Sequence, residues 1–349
     1  DKVGLVIEHV LKFRAEKDEK QALLNKLRQS IALVGESKSL QKVREQITTM
    51  AKNSNPVLVC GEVGSGRQLV SQNIHFMSSR ASRTLAEINC STLPQDLIEI
   101  ELFGIEKGSL PGIDKTRKGK LELIDGGTLV IEEIEEMPLI LQEKLVQFLK
   151  TQNIKRVGSS EEIKTNARVI LTSVFTPEAL VTYPKISKEL LELTKSQLIF
   201  IEPLRARAED ILPLIIHFSD IAAKQMASFR KTISEQGIKL LMKHSWPGNI
   251  RELKNFIERV YILTPSDYVD VHDLKFAGLV DKKETSTGST DSHLEMSTFR
   301  EARAEFEKDY LIKKIQENGG NISKTAETIG LERSYLHRKI QAYGIESDT

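Results

Sequence analysis

The chain has few of the residues and patterns that would place it in a membrane or in an oxidising compartment. Only two of its 349 residues are cysteines, Cys60 and Cys90, and each lies in an apolar run typical of a buried strand. Such thiols are usually part of the core, so we expect neither a disulfide nor a metal site. No apolar run approaches the roughly 20 residues that span a bilayer, and no charged-then-apolar leader opens the chain, so we expect a cytoplasmic protein without a membrane partner.

An excess of charge of one sign is also absent. The chain carries 50 Lys and Arg residues against 49 Asp and Glu residues, so any basic surface for nucleic acid must be local. With 28% charged and 40% hydrophobic residues, the chain is long enough for two or three domains that each bury a core.

Short apolar runs alternate with helical stretches, which is typical of an α/β fold with a parallel sheet. The predicted strands are residues 56–60, 85–90, 128–134, 167–173 and 197–204. Helical patterns at 211–226 and 233–242 follow, without a strand signal of equal strength. Residues 282–292 are rich in Ser, Thr, Gly and Asp, which indicates a flexible linker. The predicted segments are a signalling or linker helix at 1–30, an α/β subdomain at 31–207, a helical subdomain at 208–277, a linker at 278–296 and a last domain at 297–349.

The opening segment has a helical pattern in which Val6, Val10 and Phe13 share one face. A charged run follows at 14–20. This pattern fits a dimerising coil and a helix packed on its own domain equally well.

A glycine-rich loop follows the first predicted strand. Residues 61–68 read Gly-Glu-Val-Gly-Ser-Gly-Arg-Gln and open a helix, so their backbone N–H groups could hold phosphate. The usual lysine is Arg67, and the usual serine or threonine that reaches magnesium is Gln68. The strict phosphate-loop motif is therefore broken at both positions, and the run alone also fits a plain strand-to-helix turn.

Two acids, Glu132 and Glu133, follow the apolar run at 129–131. A metal-holding acid and a water-orienting acid would lie there, beside bound phosphates. Two acids after a strand are also commonplace, so this pattern alone is weak.

Several longer runs occur together with these motifs. They are Glu-Leu-Phe-Gly at 101–104, Gly-Lys-Leu-Glu-Leu at 119–123, Asp-Gly-Gly-Thr-Leu at 125–129, Glu-Met-Pro at 136–138, Pro-Leu-Arg at 203–205 and Trp-Pro-Gly-Asn-Ile-Arg-Glu-Leu at 246–253. In these runs and their order the chain resembles the bacterial enhancer-binding proteins, the AAA+ ATPases that remodel sigma-54 RNA polymerase. The runs at 306–311, 319–326 and 331–339 are similar to the NtrX branch, response regulators linked to nitrogen metabolism and respiration.

The resemblance implies an AAA+ P-loop-type α/β sheet with a helical lid and a C-terminal all-α helix-turn-helix domain of the Fis type. It also implies ATP or ADP as cofactor, with Mg²⁺ as a candidate, and it places no other metal. The implied partners are an upstream receiver domain, a cognate sensor histidine kinase and RNA polymerase. By this resemblance the nucleotide-binding residues are Gly61, Glu62, Gly64, Ser65, Gly66, Arg67, Gln68, Glu132 and Arg251. Glu133 has the water-orienting catalytic position.

The chain departs from this family at positions that carry chemistry. The sigma-contacting loop has Pro111 where the family has Thr, and proline fixes φ and removes an N–H. The two arginine fingers fall at Ser187 and Leu193, and the polar sensor falls at Val174. An arginine finger contributes a factor of roughly 10³ to 10⁵ to the rate in related enzymes, so we expect hydrolysis to be poor or absent. Because of Pro111, we also expect the chain not to act directly on sigma-54.

The last domain has a helix-turn-helix pattern. Leu311, Ile312 and Ile315 form one helix face, and Leu336 and Ile340 point inward from a final helix at about 332–343. Residues 310–345 contain six Lys or Arg residues and three acids, a net charge of +3. The expected DNA-binding residues are Ser323, Lys324, Arg333, Tyr335, His337, Arg338 and Lys339. The alternative interpretation is a solvated basic helix on a small bundle. If the domain binds DNA, we expect a dimer or higher oligomer on a palindromic double-stranded site.

Three functions therefore remain. The first is a DNA-binding regulator whose AAA+ part senses nucleotide or mediates oligomerisation. The second is a working, sigma-54-dependent ATPase. The third is a scaffold that acts by binding partners. The changed finger positions and Pro111 separate the first from the second, and DNA binding separates the first from the third.

Overall fold

A computed structural model describes residues 13–14, 32–279, 311, 314–315, 322–328, 333, 336 and 339–340. The chain divides into two compact units, Asp1–Leu279 and Val280–Thr349. Phe13 and Arg14 are helical. The rest of the predicted opening helix and the predicted linker at 282–292 lie outside the described residues.

The first unit is built on a sheet with helices on both faces. Its strands are β1 (Val57–Cys60), β2 (Leu85–Asn89), β3 (Gly104–Ile105), β4 (Arg117–Lys118), β5 (Thr128–Glu132), β6 (Asn153–Ile154), β7 (Ile163–Lys164), β8 (Arg168–Ser173) and β9 (Leu198–Phe200). Its helices before the lid are α1 (Lys38–Ala51), α2 (Arg67–Phe76), α3 (Gln95–Phe103), α4 (Lys120–Leu123), α5 (Leu139–Thr151), α6 (Pro177–Thr182) and α7 (Lys188–Thr194). Short 3₁₀ turns lie at Ile134–Glu136, Lys195–Gln197, Leu204–Ala206 and Ala208–Asp210.

Five strands form the central sheet in the order β2-β5-β8-β1-β9, and every neighbouring pair is parallel. In this register Val59 of β1 lies between Thr172 of β8 and Ile199 of β9. The carboxyl ends of parallel strands share one edge, and ligands of α/β proteins bind outside that edge. The loop after β1 and the acids after β5 are therefore brought to the same edge.

All five predicted strands of the sheet are present, and three end earlier than the pattern indicates. The strand predicted at 85–90 stops one residue early, at Asn89. The strand predicted at 128–134 stops at Glu132 because Glu133 takes a left-handed φ of 56° and a 3₁₀ turn follows. The strand predicted at 197–204 stops at Phe200. Apolar residues continue beyond Glu132 and beyond Phe200, so the sequence pattern does not show where the backbone turns.

The sheet is covered on both faces, as its near-continuous apolar strands require. One face packs on α1 and α2, with Ile47, Val70 and Ile74 in the core. The other face packs on α3, α5 and α7 around Leu102, Leu145 and other buried side chains. Both cysteines are free thiols, buried as predicted, and burial raises the pKa of each to about 12.

The lid is formed by α8 (Ile211–Gln225), α9 (Glu235–Lys243), α10 (Asn249–Leu263) and α11 (Val271–Phe276). Its core contains Trp246, which donates from Nε1 to the Leu241 carbonyl at 2.9 Å. No strand was predicted in this region, yet β10 (Thr232–Ile233) and β11 (Tyr268–Val269) form a short parallel pair. With two residues each, these strands are too short to produce a detectable alternation.

In the second unit the structure describes one helix, α12 (Ile322–Thr328), and a small apolar core. Leu336 and Ile340 are both buried, as their i, i+4 spacing predicted, and they pack with Leu311, Ile315 and Ala326. None of the helices in the described part of the chain is both long and apolar enough to cross a bilayer.

Candidate functional site

The glycine loop joins β1 to α2 and follows a path that only glycine adopts without strain. Gly64 has φ +76°, and a Cβ there would lie 2.3 Å from the Gly248 carbonyl oxygen of the lid. Gly66 has φ +109° and begins α2 without a side-chain cap. A Cβ on Gly66 would meet only Ile250 Cδ1, at 3.8 Å, so the space in front of the helix is open. Uncapped N–H groups at a helix start form a ready site for an anion.

Arg67 stands at the usual lysine position, and its side chain lies against the acids after β5. Its Nη2 is 3.9 Å from Glu133 Oε1, and the Arg67 side chain is only 12% exposed. Burial lowers the pKa of Arg67, while the charges of Glu135, Glu133 and Glu132 raise it. The buried Nη1 has no hydrogen-bond partner. The guanidinium is therefore held by charge among three carboxylates and is not fully hydrogen-bonded.

The two predicted acids lie at the sheet edge beside Arg67. Glu132 Oε2 accepts a hydrogen bond from Asn89 Nδ2 at 3.2 Å, and burial together with the charge of Glu87 raises its pKa. The backbone N–H of Glu133 donates to Thr172 Oγ1 at 3.4 Å. Glu133 is partly exposed towards the cleft, so its carboxylate is accessible to a ligand or water.

A third acid, Glu135, was missed by the sequence analysis. It is only 3% exposed; Oε1 accepts from the Val174 N–H at 2.9 Å, and Oε2 is buried without a partner. The run Glu132–Glu136 contains four acids, and no pattern distinguishes the buried one. Val174, predicted at the sensor position, has no polar side chain, and its backbone N–H is already bonded to Glu135.

Gln68, at the usual serine or threonine position, is turned towards β2. Its Nε2 donates to Glu87 Oε2 at 3.0 Å, and Gln72 Nε2 donates to the other carboxylate oxygen at 3.2 Å. Ser65 is buried, and its Oγ has no hydrogen-bond partner. The amide of Gln68 therefore links α2 to the sheet.

The lid is joined to the glycine loop by a compact set of hydrogen bonds. Arg205 donates from Nη1 and Nη2 to both oxygens of Glu62, at 2.8 and 2.6 Å. Asn249 Nδ2 donates to Glu62 Oε2 at 3.1 Å and to the Val63 carbonyl at 3.0 Å. The Arg205 contact lowers the pKa of Glu62. Glu62, predicted at the nucleotide site, thus holds the loop against the lid.

A second link, also missed from the sequence, runs beneath the loop. Arg207 Nη2 donates to the Ser65 carbonyl at 2.9 Å, and its Nη1 lies 3.6 Å from buried Asp210. Asp210 accepts from the backbone N–H groups of Glu36 and Ser37 at 2.7 and 2.8 Å. These residues carry no motif that would have marked them.

Arg251 lies on the first turn of α10, beside the loop. Its Cβ is 3.1 Å from the position of a Cβ on Gly64, its side chain is exposed, and it makes no ion pair within the described part of the chain. Together with Arg67, Glu132 and Glu133 it lines a cleft of about 510 Å³ between sheet edge and lid. Arg251 therefore provides an exposed positive charge at the mouth of the cleft.

The two residues predicted at the arginine-finger positions have structural roles. Ser187 caps α7, where its Oγ accepts from the Leu190 N–H, and its own N–H donates to Gln142 Oε1 at 2.8 Å. Leu193 packs against the core of the sheet. Neither side chain carries a charge that could reach a neighbouring subunit.

The loop that contains Pro111 is closed on itself. The Gly108 N–H donates to the Ile113 carbonyl at 2.9 Å, and Ser109 lies against Gly158, where a Cβ would be 2.1 Å from Ser109 Cβ. Pro111 is exposed at the tip.

In the second unit, Lys324 and Arg333 are exposed and Lys339 is half-buried. The side chain of Ser323 and the residues Tyr335, His337 and Arg338 lie outside the described residues.

A parallel sheet of this strand order, with a glycine loop after β1, acids at the end of β5 and a helical lid, defines a P-loop-type AAA+ protein. Residues 33–197 match the sigma-54 interaction domain, residues 205–291 the AAA+ ATPase lid domain, and residues 302–343 the Fis family of bacterial regulatory proteins. The chain is 34% identical over 327 residues to the nitrogen assimilation regulatory protein NtrX of Azorhizobium caulinodans, covering 92% of this chain and 71% of that one. It belongs to the family of NtrX and related regulators with a sigma-54 interaction domain.

Other relatives agree with this assignment. The nitrogen fixation protein AnfA of Azotobacter vinelandii is 33% identical over 343 residues, and the chain covers 63% of its length. The crystal structure of NtrX from Brucella abortus in complex with ADP matches with a TM-score of 0.75 at 33% identity, over 99% of this chain and 76% of that one. The same protein in complex with ATP matches with a TM-score of 0.72. The predicted fold class is confirmed.

Proposed function

We propose that this chain is part of an NtrX-like, DNA-binding regulator of a two-component system with a role in nitrogen or respiratory control. Its AAA+ part binds adenine nucleotide, hydrolyses it slowly or not at all, and acts without sigma-54. The upstream receiver domain, the sensor kinase, the dimer and the cytoplasmic location belong to the same proposal.

Nucleotide binding is supported by the open space at Gly66 and by the exposed positive charge of Arg251 at the mouth of the cleft. The Brucella abortus NtrX, which was crystallised with ADP and with ATP, supports it further. An uncapped helix start with a glycine loop is the common phosphate-binding arrangement of P-loop proteins.

The observation that carries the loss of hydrolysis is the set of roles found at positions 174, 187 and 193. A backbone N–H bonded to Glu135, a helix cap and a core side chain stand where hydrolysis needs a sensor and two fingers. Each missing group costs orders of magnitude in rate in phosphoryl transfer. Independence from sigma-54 is supported by Pro111, since a closed loop with a proline at its tip rearranges less readily.

Phosphate release tests this proposal. With saturating Mg-ATP, with or without DNA, we expect the chain to release phosphate at no more than the background rate. Ser187→Arg combined with Leu193→Arg should not restore turnover, because Val174 and Arg67 remain.

Two glycine variants serve as controls. Gly66→Asp puts a carboxylate where phosphate would lie, whereas Gly112→Asp has a similar positive φ, +85°, with no neighbour within 4 Å. Turnover near one per second in the parent and in Gly112→Asp, lost in Gly66→Asp, would support the alternative of a working, sigma-54-dependent ATPase.

DNA binding is supported by the Fis-family match and by the net charge of +3 over 310–345. At matched salt, Arg333→Ala and Arg338→Ala should each weaken binding to a palindromic operator, found by mapping bound genomic sites. A bidentate base contact is worth roughly 1 to 3 kcal/mol of discrimination. Arg117→Ala removes an exposed arginine of the first unit and should bind as the parent does. Unchanged binding in both C-terminal variants would show that the assigned face is wrong.

A further inference from the structure

We propose that this site binds adenine nucleotide without a divalent metal ion, because the Arg67 guanidinium supplies the positive charge that Mg²⁺ supplies in related sites. This inference rests on the proposed nucleotide binding. It concerns how phosphate charge is compensated, and the experiment below separates the two ideas.

The first observation is that the positive charge of Arg67 already lies among the acids of the site. Arg67 Nη2 is 3.9 Å from Glu133 Oε1, and the charges of Glu135, Glu133 and Glu132 all act on the same guanidinium. These acids include both side chains expected to hold and use a metal ion. A fixed positive charge among them neutralises part of their negative charge and so weakens their attraction for a second cation.

The second observation is that the metal-ligand positions are poorly suited to Mg²⁺. Magnesium requires nearly octahedral oxygen ligands at 2.0–2.1 Å and tolerates little displacement. Gln68 replaces the hydroxyl residue and holds its amide on Glu87, while Glu132 is held by Asn89. The residues present do not fit a magnesium site.

The third observation is an unfilled hydrogen bond on the guanidinium itself. Arg67 Nη1 is buried and has no partner, although the side chain is surrounded by acids. A buried donor without an acceptor costs about 1 to 3 kcal/mol. A phosphate oxygen at the start of α2 would supply that acceptor after a small movement of the side chain. Arginine also offers several donors in a fixed plane, which suits phosphate.

Binding of fluorescent ADP and ATP analogues to the full chain, measured with excess Mg²⁺ and with excess EDTA, tests the proposal. We expect the dissociation constant of the parent to differ less than twofold between the two conditions. Arg67→Gln, which removes the charge and keeps a polar side chain, should bind at least tenfold more tightly with Mg²⁺ than with EDTA, because metal bound to the phosphates then supplies the missing charge. Arg117→Gln makes the same change at an exposed arginine and should behave as the parent does.

The possible results are distinct. Binding by the parent that is tenfold or more tighter with Mg²⁺ would overturn the inference and leave nucleotide binding intact. No binding in either condition would contradict nucleotide binding itself. An Arg67→Gln protein that folds but stays independent of metal would exclude Arg67 as the replacement charge. If that variant does not fold, the comparison in the parent still decides, and titration with Mn²⁺ alone should detect no site in the cleft.

Discussion

The glycine loop and α2 have two sides that differ in how completely their polar groups are paired. On the side that faces the lid, Glu62, Arg205 and Asn249 satisfy one another at distances between 2.6 and 3.1 Å. Among the residues that the structure describes, four buried polar atoms on the side that faces the sheet lack partners: Ser65 Oγ, Arg67 Nη1, His75 Nε2 and Glu135 Oε2. On the lid side, only Arg207 Nε of the described residues, in the link beneath the loop, also lacks a partner.

This difference indicates that the lid side of the loop has a structural role, whereas the sheet side has groups available for a ligand. Paired groups on the lid side hold the glycine loop against the lid. Buried polar groups are paired in most proteins, and unpaired ones tend to mark a functional site or a missing ligand. The sheet side therefore holds charged and polar side chains whose hydrogen-bonding capacity is not filled.

The largest effect on stability and nucleotide affinity is expected from Gly64→Ala, which disrupts the contact between the loop and the lid. The added methyl would lie 2.3 Å from the Gly248 carbonyl oxygen, so the loop and lid must separate. We expect a loss of roughly 2 to 4 kcal/mol in unfolding free energy, as for overpacked and strained positions, together with at least tenfold weaker nucleotide binding. Denaturant unfolding and nucleotide titration measure these two quantities.

Gly126→Ala is the matched control, because Gly126 has φ +78° and a Cβ there has no neighbour within 4 Å. Its cost should be limited to about 1 kcal/mol of backbone strain. Equal losses in the two variants would mean that the close approach of the lid contributes nothing.

On the sheet side, a buried histidine should make the unfolding free energy depend on pH. His75 Nδ1 lies 2.9 Å from Thr128 Oγ1, and burial lowers the pKa of His75 from 6.5 to about 4. The unfolded chain therefore takes up a proton below pH 6.5 that the folded chain does not, so stability falls as the pH drops from about 6.5 towards 4. From pH 7.5 to 5.0 this residue should cost about 2 kcal/mol.

His75→Asn removes the titrating ring and keeps a polar atom near Thr128. The drop in unfolding free energy between pH 7.5 and 5.0 should be smaller in the variant by about the same 2 kcal/mol, whatever its stability at pH 7.5. If parent and variant lose the same amount, the buried ring is not the source of the acid sensitivity.

The strands of the central sheet could be predicted from the sequence, because they are mostly apolar and alternate with helices. The sequence was also sufficient for the glycine loop, since three glycines at 61, 64 and 66 mark a backbone path rather than a contact. Glycine spacing and apolar runs are local signals, so one chain is enough to read them.

The pairing around the loop could not be predicted, because it depends on residues distant in the chain. Arg207 reaches Ser65 across 142 positions, and Asp210 reaches Ser37 across 173. Arg67 departs visibly from the motif, but its place among Glu132, Glu133 and Glu135 follows from the register of β1, β8 and β5. Which acid is buried is likewise a property of the fold.

The smallest effect is expected from Arg205→Ala, which weakens the lid side without a steric clash. The Arg205 and Glu62 side chains are 48% and 36% exposed, so water screens the pair despite its two hydrogen bonds. Exposed ion pairs contribute about 0 to 1 kcal/mol, and Asn249 still holds Glu62 in the variant. We expect a loss of about 0.5 to 1 kcal/mol in unfolding free energy that shrinks in high salt, and less than a threefold change in nucleotide affinity. Arg117→Ala breaks a comparable exposed pair with Glu101, away from the lid, and should leave nucleotide affinity unchanged. A tenfold loss of affinity in Arg205→Ala alone would mean that this one ion pair, rather than the whole set of lid contacts, holds the loop in its binding shape.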